Sequence, residues 1–189
     1  MQTQSDSHAL APTLQATATA LRLTGLISFW LQLAFIVISG VVLLFAVSGR
    51  NFSTQPTPWL GIGIFWAVCG VLALCFNVYL AFRYARIGRR LRNPNPELRP
   101  RKVDTLRLLR LGVVVGFVGM LLSILGAGAT VGVLVSKSIS QPPGVAITDP
   151  NRIIRALDVF VMVANLNNIT AHFVGATTSL GLFDRVHRH

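Results

Sequence analysis

The residues best equipped for chemistry lie in an apolar setting. In the segment DVFVMVANLNNITAHFVGATTSL, the side chains of Asp158, Asn165, Asn168, His172 and Ser179 share an arc of about 80° if the chain is helical. An ionisable group at membrane depth must face protein or water, which makes this stripe the first functional candidate. His172 stands about 21 Å from Asp158 along such a helix, too far for one metal ion to bind both. Three chemistries fit the stripe. It can form hydrogen bonds within a bundle or to a partner subunit, line a polar translocation path, or touch a cofactor through His172, as a ligand to chlorophyll magnesium or haem iron. Arg155 and Asp158, three residues apart, are expected to form a local ion pair. Asn167 and Thr170 project from other faces, so the segment is expected to be surrounded by protein and to make an intermolecular contact.

Other reactive constellations are scarce. The sequence contains no phosphate-binding loop, no HExxH and no paired cysteine spacing typical of zinc, and GAGAT at 126–130 lies in the middle of an apolar run. Six acidic residues are dispersed along the chain, without a carboxylate pair for acid/base work. Cys69 and Cys75, about 240° apart on a helix, cannot pair with each other and are expected to be buried as small hydrophobes. Catalysis is therefore not expected and no cofactor is required. A chlorophyll or iron contact remains open, and the metal ligands are unknown.

The elements that position the stripe follow from charge spacing. Of 189 residues, 52% are hydrophobic and 12% charged. Uncharged stretches run from Leu23 to Gly49 (27 residues), Phe52 to Phe82 (31), Leu111 to Ser136 (26) and Val159 to Phe183 (25). Each exceeds the roughly 20 residues that cross a hydrocarbon core as a helix. A soluble bundle would carry charge on each outer face, and these stretches do not. The predicted fold is all-α, a polytopic membrane protein with four transmembrane helices near 23–48, 59–83, 108–135 and 154–182. Pro56 and Pro58 close the start of the second, and Asp149 and Pro150 are placed as N-cap and first residue of the fourth.

Helical phase adds packing surfaces. Gly112, Gly116, Gly119, Ser123, Gly126 and Thr130 share one arc of about 80° on the third helix, a stripe that admits a neighbouring backbone closely. Gly128 and Gly132 form a small-xxx-small pair on the other side, which predicts two partners for that helix. The second helix repeats Gly63, Gly70 and Asn77 at seven-residue spacing, with Trp66 nearby. The first offers Gly25, Ser28, Gln32 and Ser39 on one face.

The net charge of +11 has a location. Ten Lys/Arg fall in residues 83–110, against Arg50 alone in the 49–58 loop and Lys137 and Arg152 in the 136–152 loop. The positive-inside bias makes 83–110 a cytoplasmic hairpin, and four helices then put both termini on the same side. The domain reading is a flexible cytoplasmic tail over 1–20, a transmembrane domain over 21–184 and a short cytoplasmic tail over 185–189. Arg83, Arg86, Arg89, Arg90, Arg92, Arg99, Arg101 and Lys102 are candidates for docking anionic lipid or an acidic protein face. Asn93-Pro94-Asn95-Pro96 supplies the turn, and Pro100 to Arg110 is read as an interfacial helix leading into the third span. Nucleic acid is not expected, because the basic residues punctuate membrane spans.

The segments LRLTGLISFWLQLAFIVISGVVLLFA, RRLRNPNPELRPRKVDTLRLLRLG and DVFVMVANLNNITAHF resemble a family of small four-helix membrane proteins of cyanobacteria and plastids. The family includes the twenty-one-kilodalton component of the chloroplast inner-envelope translocon, also described as an iron permease. The likeness covers nearly everything after residue 20. It implies a protein-translocation, iron-permease or early photosystem II assembly role. Implied partners are membrane lipids and integral membrane subunits, such as a photosystem II reaction-centre assembly complex or a translocon. The first twenty residues lack the Arg- and Ser-rich character of a transit peptide, so the resemblance points to a cyanobacterial thylakoid or plasma membrane. It transfers no ligand to a particular position.

Overall fold

A computed structural model describes residues 12–51, 58–140 and 156–188. Four long helices account for most of them: α1 (Pro12–Asn51), α2 (Pro58–Arg90), α3 (Lys102–Ile139) and α4 (Ala156–Arg188). Each carries an apolar window long enough to cross a bilayer. The chain is an all-α polytopic membrane protein.

The helices form a ring in chain order. Each packs along its sequence neighbours, α1 closes the ring against α4, and α2 and α4 touch across the centre. The spacing of buried residues explains this arrangement. On α3 they include Thr105, Leu109, Gly112, Gly116, Gly119, Ser123, Gly126 and Thr130, separated alternately by four and three residues, with Ala127 beside the series and Lys137 one heptad beyond it. On α4 the series Asp158, Val161, Asn165, Asn168, His172, Gly175, Ser179, Leu182 and Val186 alternates in the same way. A period of 3.5 residues keeps one seam facing the bundle axis along the full length of each helix. The seam is small or polar while the outside is apolar: Trp30, Leu44, Phe45, Leu72, Phe117, Leu121 and Phe173 all point outward. Water would penalise that surface heavily, and lipid tails solvate it.

Apolar residues collect at the ends of the seam. Leu21, Leu80, Tyr84, Leu109, Leu182 and Val186 make the cluster at the arginine-rich end. Ala46, Ile64 and Val161 make another toward the opposite end. Between them the backbones come close. A Cβ on Gly116 would stand 2.8 Å from the Ala176 Cβ, so α3 and α4 can cross there only without a side chain.

The helices run longer than the charge pattern predicts. The tail expected over 1–20 is helical from Pro12 onward, where Ala18 packs against Gly88 of α2 and Leu21 is buried in the cluster with Leu80 and Tyr84. Residues 185–188, expected as a tail, are the last turn of α4, held by buried Val186 and by an ion pair from Arg188 to Asp184 at 2.9 Å. Residues 83–90 finish α2 and 102–110 begin α3, with no separate interfacial helix. Arginine and lysine are good helix formers whose stems can lie along apolar surface, so charge marks where lipid ends and not where helix ends. The true connection is 91–101. Asn93 Oδ1 accepts from the Asn95 N–H and Asn95 Oδ1 from the Glu97 N–H, both at 3.0 Å, giving two successive Asx turns. A single 3₁₀ turn follows at Pro96–Leu98.

Cys75 faces outward and Cys69 is half-buried, so neither is the enclosed thiol expected. Lipid accepts a small apolar thiol as readily as a core does. The expected cap at Asp149 and Pro150, the helix-closing Pro56, and the loop residues Arg152 and Arg155 lie outside the described residues.

Candidate functional site

The seam encloses a column of polar groups along the bundle axis. At the arginine-rich end the Tyr84 hydroxyl lies 3.1 Å from Ser179 Oγ and donates toward the Leu108 carbonyl at 3.4 Å. Deeper, the Gln32 amide donates to Ser28 Oγ at 2.6 Å. Asn77 Nδ2 lies 3.1 Å from His172 Nδ1, and His172 Nε2 lies 3.0 Å from the Gly70 carbonyl. A neutral ring with its proton on Nε2 satisfies both contacts, accepting from the amide and donating to the carbonyl. Next along α4, Asn168 donates to the Ala67 carbonyl at 3.1 Å and Asn165 to the Val161 carbonyl at 3.0 Å. At the far end Lys137 meets Asp158 at 2.5 Å.

The small residues of α3 make room for this column. The Gly119 backbone faces the His172 ring, Gly126 faces the Asn165 amide and Gly112 faces Ser179. Ser123 and Thr130 return their hydroxyls to the Gly119 and Gly126 carbonyls at 2.9 and 2.8 Å, so they fill the seam without demanding partners. All five predicted α4 residues and all six predicted α3 residues therefore meet at one interface within a single chain. Asn165, Asn168 and His172 are each 0% exposed.

Several expectations change with this geometry. The α4 stripe faces its own bundle and is not an intermolecular surface. Thr170 lies on the outer face with its hydroxyl bonded to the Leu166 carbonyl at 3.0 Å, which lets it sit against lipid without a protein neighbour. Gly128 and Gly132 have nothing within 4 Å of an added Cβ, so the second small pair faces outward and contacts no other helix of this chain. The expected pairing of Arg155 with Asp158 falls outside the described residues; among those residues Asp158 pairs with Lys137 on the neighbouring helix.

Among the described residues, no three His, Cys, Asp or Glu side chains come together as a metal-holding group. Both His172 nitrogens are within hydrogen-bonding distance of protein groups, so ligation of magnesium or iron would have to break one contact. Four buried atoms have no hydrogen-bond partner among the described residues: Gln32 Oε1, Ser39 Oγ, Asn165 Oδ1 and Asn168 Oδ1. Three of them are amide oxygens.

The predicted docking residues divide by role. Arg99 staples the turn, donating from Nε to the Asn93 carbonyl at 2.9 Å and from Nη2 to the Pro94 carbonyl at 3.2 Å. Lys102 donates to the His187 carbonyl at 3.1 Å, at the end of α4. Arg92 reaches Thr19 of α1 at 2.8 Å. Arg101 is the exposed residue preceding α3. Arg83, Arg86, Arg89 and Arg90 lie exposed on the last turns of α2.

A family model described as "Protein of unknown function (DUF3611)" matches residues 11–187. The chain belongs to this family. The match begins one residue before α1 and ends one residue before the end of α4, so it takes in the whole ring of helices. "Protein TIC 21, chloroplastic" of Arabidopsis thaliana is 31% identical over 182 residues, which cover 94% of this chain and 60% of that relative. The chain thus spans about three fifths of the relative's length. No solved structure matches. The DUF3611 chain described here resembles the four-helix family recognised in its sequence, and the polar column lies inside the matched region.

Two members of the column were not among the sequence candidates. Tyr84 falls in the basic stretch and Lys137 in a presumed loop. Both continue seven-residue series that are visible in the sequence: Gly63, Gly70, Asn77, Tyr84 on α2, and Gly116, Ser123, Thr130, Lys137 on α3. A strict heptad reading would have found them.

Proposed function

We propose that this chain is a non-catalytic accessory membrane subunit that packs against other integral membrane proteins, in protein transport or biogenesis. The observation that carries the reading is closure of the polar column by the chain's own four helices. His172, Asn165 and Asn168 reach neither solvent nor lipid, so other molecules meet the outer faces and the basic end. The outer faces offer a suitable surface at Gly128 and Gly132, where a neighbouring helix can approach closely. The likeness to TIC 21 supports a protein-transport setting, and the family resemblance extends it to photosystem II assembly. The same resemblance supports a cyanobacterial membrane as the location, and the charge bias supports a cytoplasmic side for the basic connection and both termini. Mild-detergent purification of the tagged chain followed by mass spectrometry tests this. Recovery of translocation or photosynthetic assembly subunits is expected, and recovery of a monomer or homo-oligomer alone overturns it.

A second reading rests on the three unpartnered amide oxygens of Gln32, Asn165 and Asn168, in line with His172. Oxygen donors on the axis suit a metal-ion permease or a subunit of a translocation channel, given a state in which the bundle parts. Flux of iron into vesicles holding the purified chain tests it, with H172A and N165A expected to reduce the rate. Absence of flux in both orientations and both oxidation states removes it.

A further inference from the structure

The basic end of α2 carries two adjoining clefts that nothing in the polar column explains. One, of about 190 Å³, is lined by Tyr79, Phe82, Arg83, Arg86, Ile87 and Arg90. The other, of about 490 Å³, is lined by Arg86, Arg89, Arg90, Arg92, Asn93 and Pro94. Arg86 and Arg90 belong to both. The first has an aromatic, lipid-facing wall in Tyr79 and Phe82, while the second is a cradle of four guanidinium groups.

The arginines are arranged, and among the described residues none of those lining the clefts forms an ion pair. The Arg86 guanidinium lies over the Phe82 ring at 5.0 Å and that of Arg83 over Tyr79 at 5.9 Å, with Arg83 also donating to the Tyr79 hydroxyl at 3.2 Å. Arg92 is tied to α1 through Thr19. The described acidic side chains that form ion pairs, Asp158 and Asp184, pair elsewhere. The clefts also sit at a defined depth. Residues 61–82 are uncharged and Arg83 is the first charge on the helix, so Tyr79 and Phe82 lie at the level of acyl chains and the cradle at the level of headgroups.

We propose that these two clefts form one binding site for an anionic glycerophospholipid. The phosphodiester sits between Arg86 and Arg90, the anionic headgroup reaches Arg89 and Arg92, and an acyl chain runs along Tyr79, Phe82 and Ile87. Planar guanidinium groups match phosphate oxygens two at a time. A soluble phosphate would use the cradle alone, and an acidic protein would leave the aromatic wall facing lipid. Only a lipid fills both clefts.

The test is native mass spectrometry of the full chain with phosphatidylglycerol or phosphatidylcholine of identical acyl chains, with inorganic phosphate as a separate competitor. The wild-type chain is expected to retain phosphatidylglycerol over phosphatidylcholine. R86Q/R90Q is expected to lower that retention about tenfold or more, whereas R107Q, an exposed residue of α3 outside both clefts, changes it less than twofold. R86K/R90K keeps the charge but loses the fork, and is expected to fall a few-fold below wild type, which serves if the glutamine variant does not fold. Four results overturn the proposal: equal retention of the two lipids, equal losses in R86Q/R90Q and R107Q, wild-type retention in R86K/R90K, or displacement of the lipid by millimolar inorganic phosphate. A dimer that disappears in R86Q/R90Q would place a second copy in the clefts and overturns it too.

Discussion

Asn77 and His172 are separated by 95 positions in the chain and by 3.1 Å in the bundle. The contact joins α2 to α4 across the diagonal of the ring, at a level where Gly119 leaves space for the imidazole and the Gly70 carbonyl meets its Nε2. It makes the histidine a strut of the bundle. Membrane helix pairs gain little from apolar burial, because lipid tails are as apolar as the side chains, so packing and hydrogen bonds carry a larger share of specificity.

A double-mutant cycle should expose that strut. N77A and H172A are each expected to lower the melting temperature in detergent, and the double variant to lose less than the sum. The coupling energy expected is about 0.5–1.5 kcal/mol, the range for hydrogen bonds between membrane helices. Strict additivity would mean that the two side chains stabilise the bundle separately.

The glycines of α3 give a sharper contrast. At Gly119 a Cβ would press into the His172 ring, whereas at Gly128 it would meet open space. G119A is expected to destabilise the bundle by about 1–3 kcal/mol through overpacking. G128A is expected to be neutral or slightly stabilising in the isolated protein, since alanine is the better helix former. If Gly128 packs against a partner subunit, the same G128A substitution weakens co-purification while leaving the melting temperature unchanged. Comparing the two readouts separates a folding surface from a docking surface.

Much of this interior was legible before the structure. Charge-free runs gave the four spans, and a helical wheel gave the α3 and α4 stripes, because burial at fixed period leaves a one-dimensional trace. Helix ends were not legible from charge. Pro12 and Arg188 bound helices whose terminal turns contain the same residues a loop would use. Nor does a single helix show which face its neighbour covers: the α4 stripe reads alike whether α3 or another subunit lies against it. Lys137 and Tyr84 were hidden among surface cations, and only the seven-residue register ties them to the seam.

Orientation can be read with thiol chemistry. Replacing Cys69 and Cys75 by serine leaves the described chain free of cysteine, and N95C then places one thiol in the exposed turn at the basic end. With the basic connection in the cytoplasm, a membrane-impermeant maleimide is expected to label N95C only after the cells are permeabilised. Labelling of intact cells would invert the topology and move the lipid site to the other leaflet.

The Lys137 and Asp158 pair lies at the end of the column opposite the arginines, with 9% and 1% of their side chains exposed. A buried ion pair contributes little net stability compared with apolar residues of similar size, but removing one member leaves the other charge buried without that counter-ion. K137M and D158L are each expected to destabilise the bundle by roughly 3–5 kcal/mol, whereas K137M/D158L together recover most of that loss. The K137D/D158K exchange should recover less, because lysine at 137 reaches Asp158 from α3 with a long side chain and an aspartate at the same position is shorter. Thermal melts of the four variants in one detergent decide the matter. If K137M/D158L stays as unstable as either single variant, the two residues are held by other neighbours more than by each other.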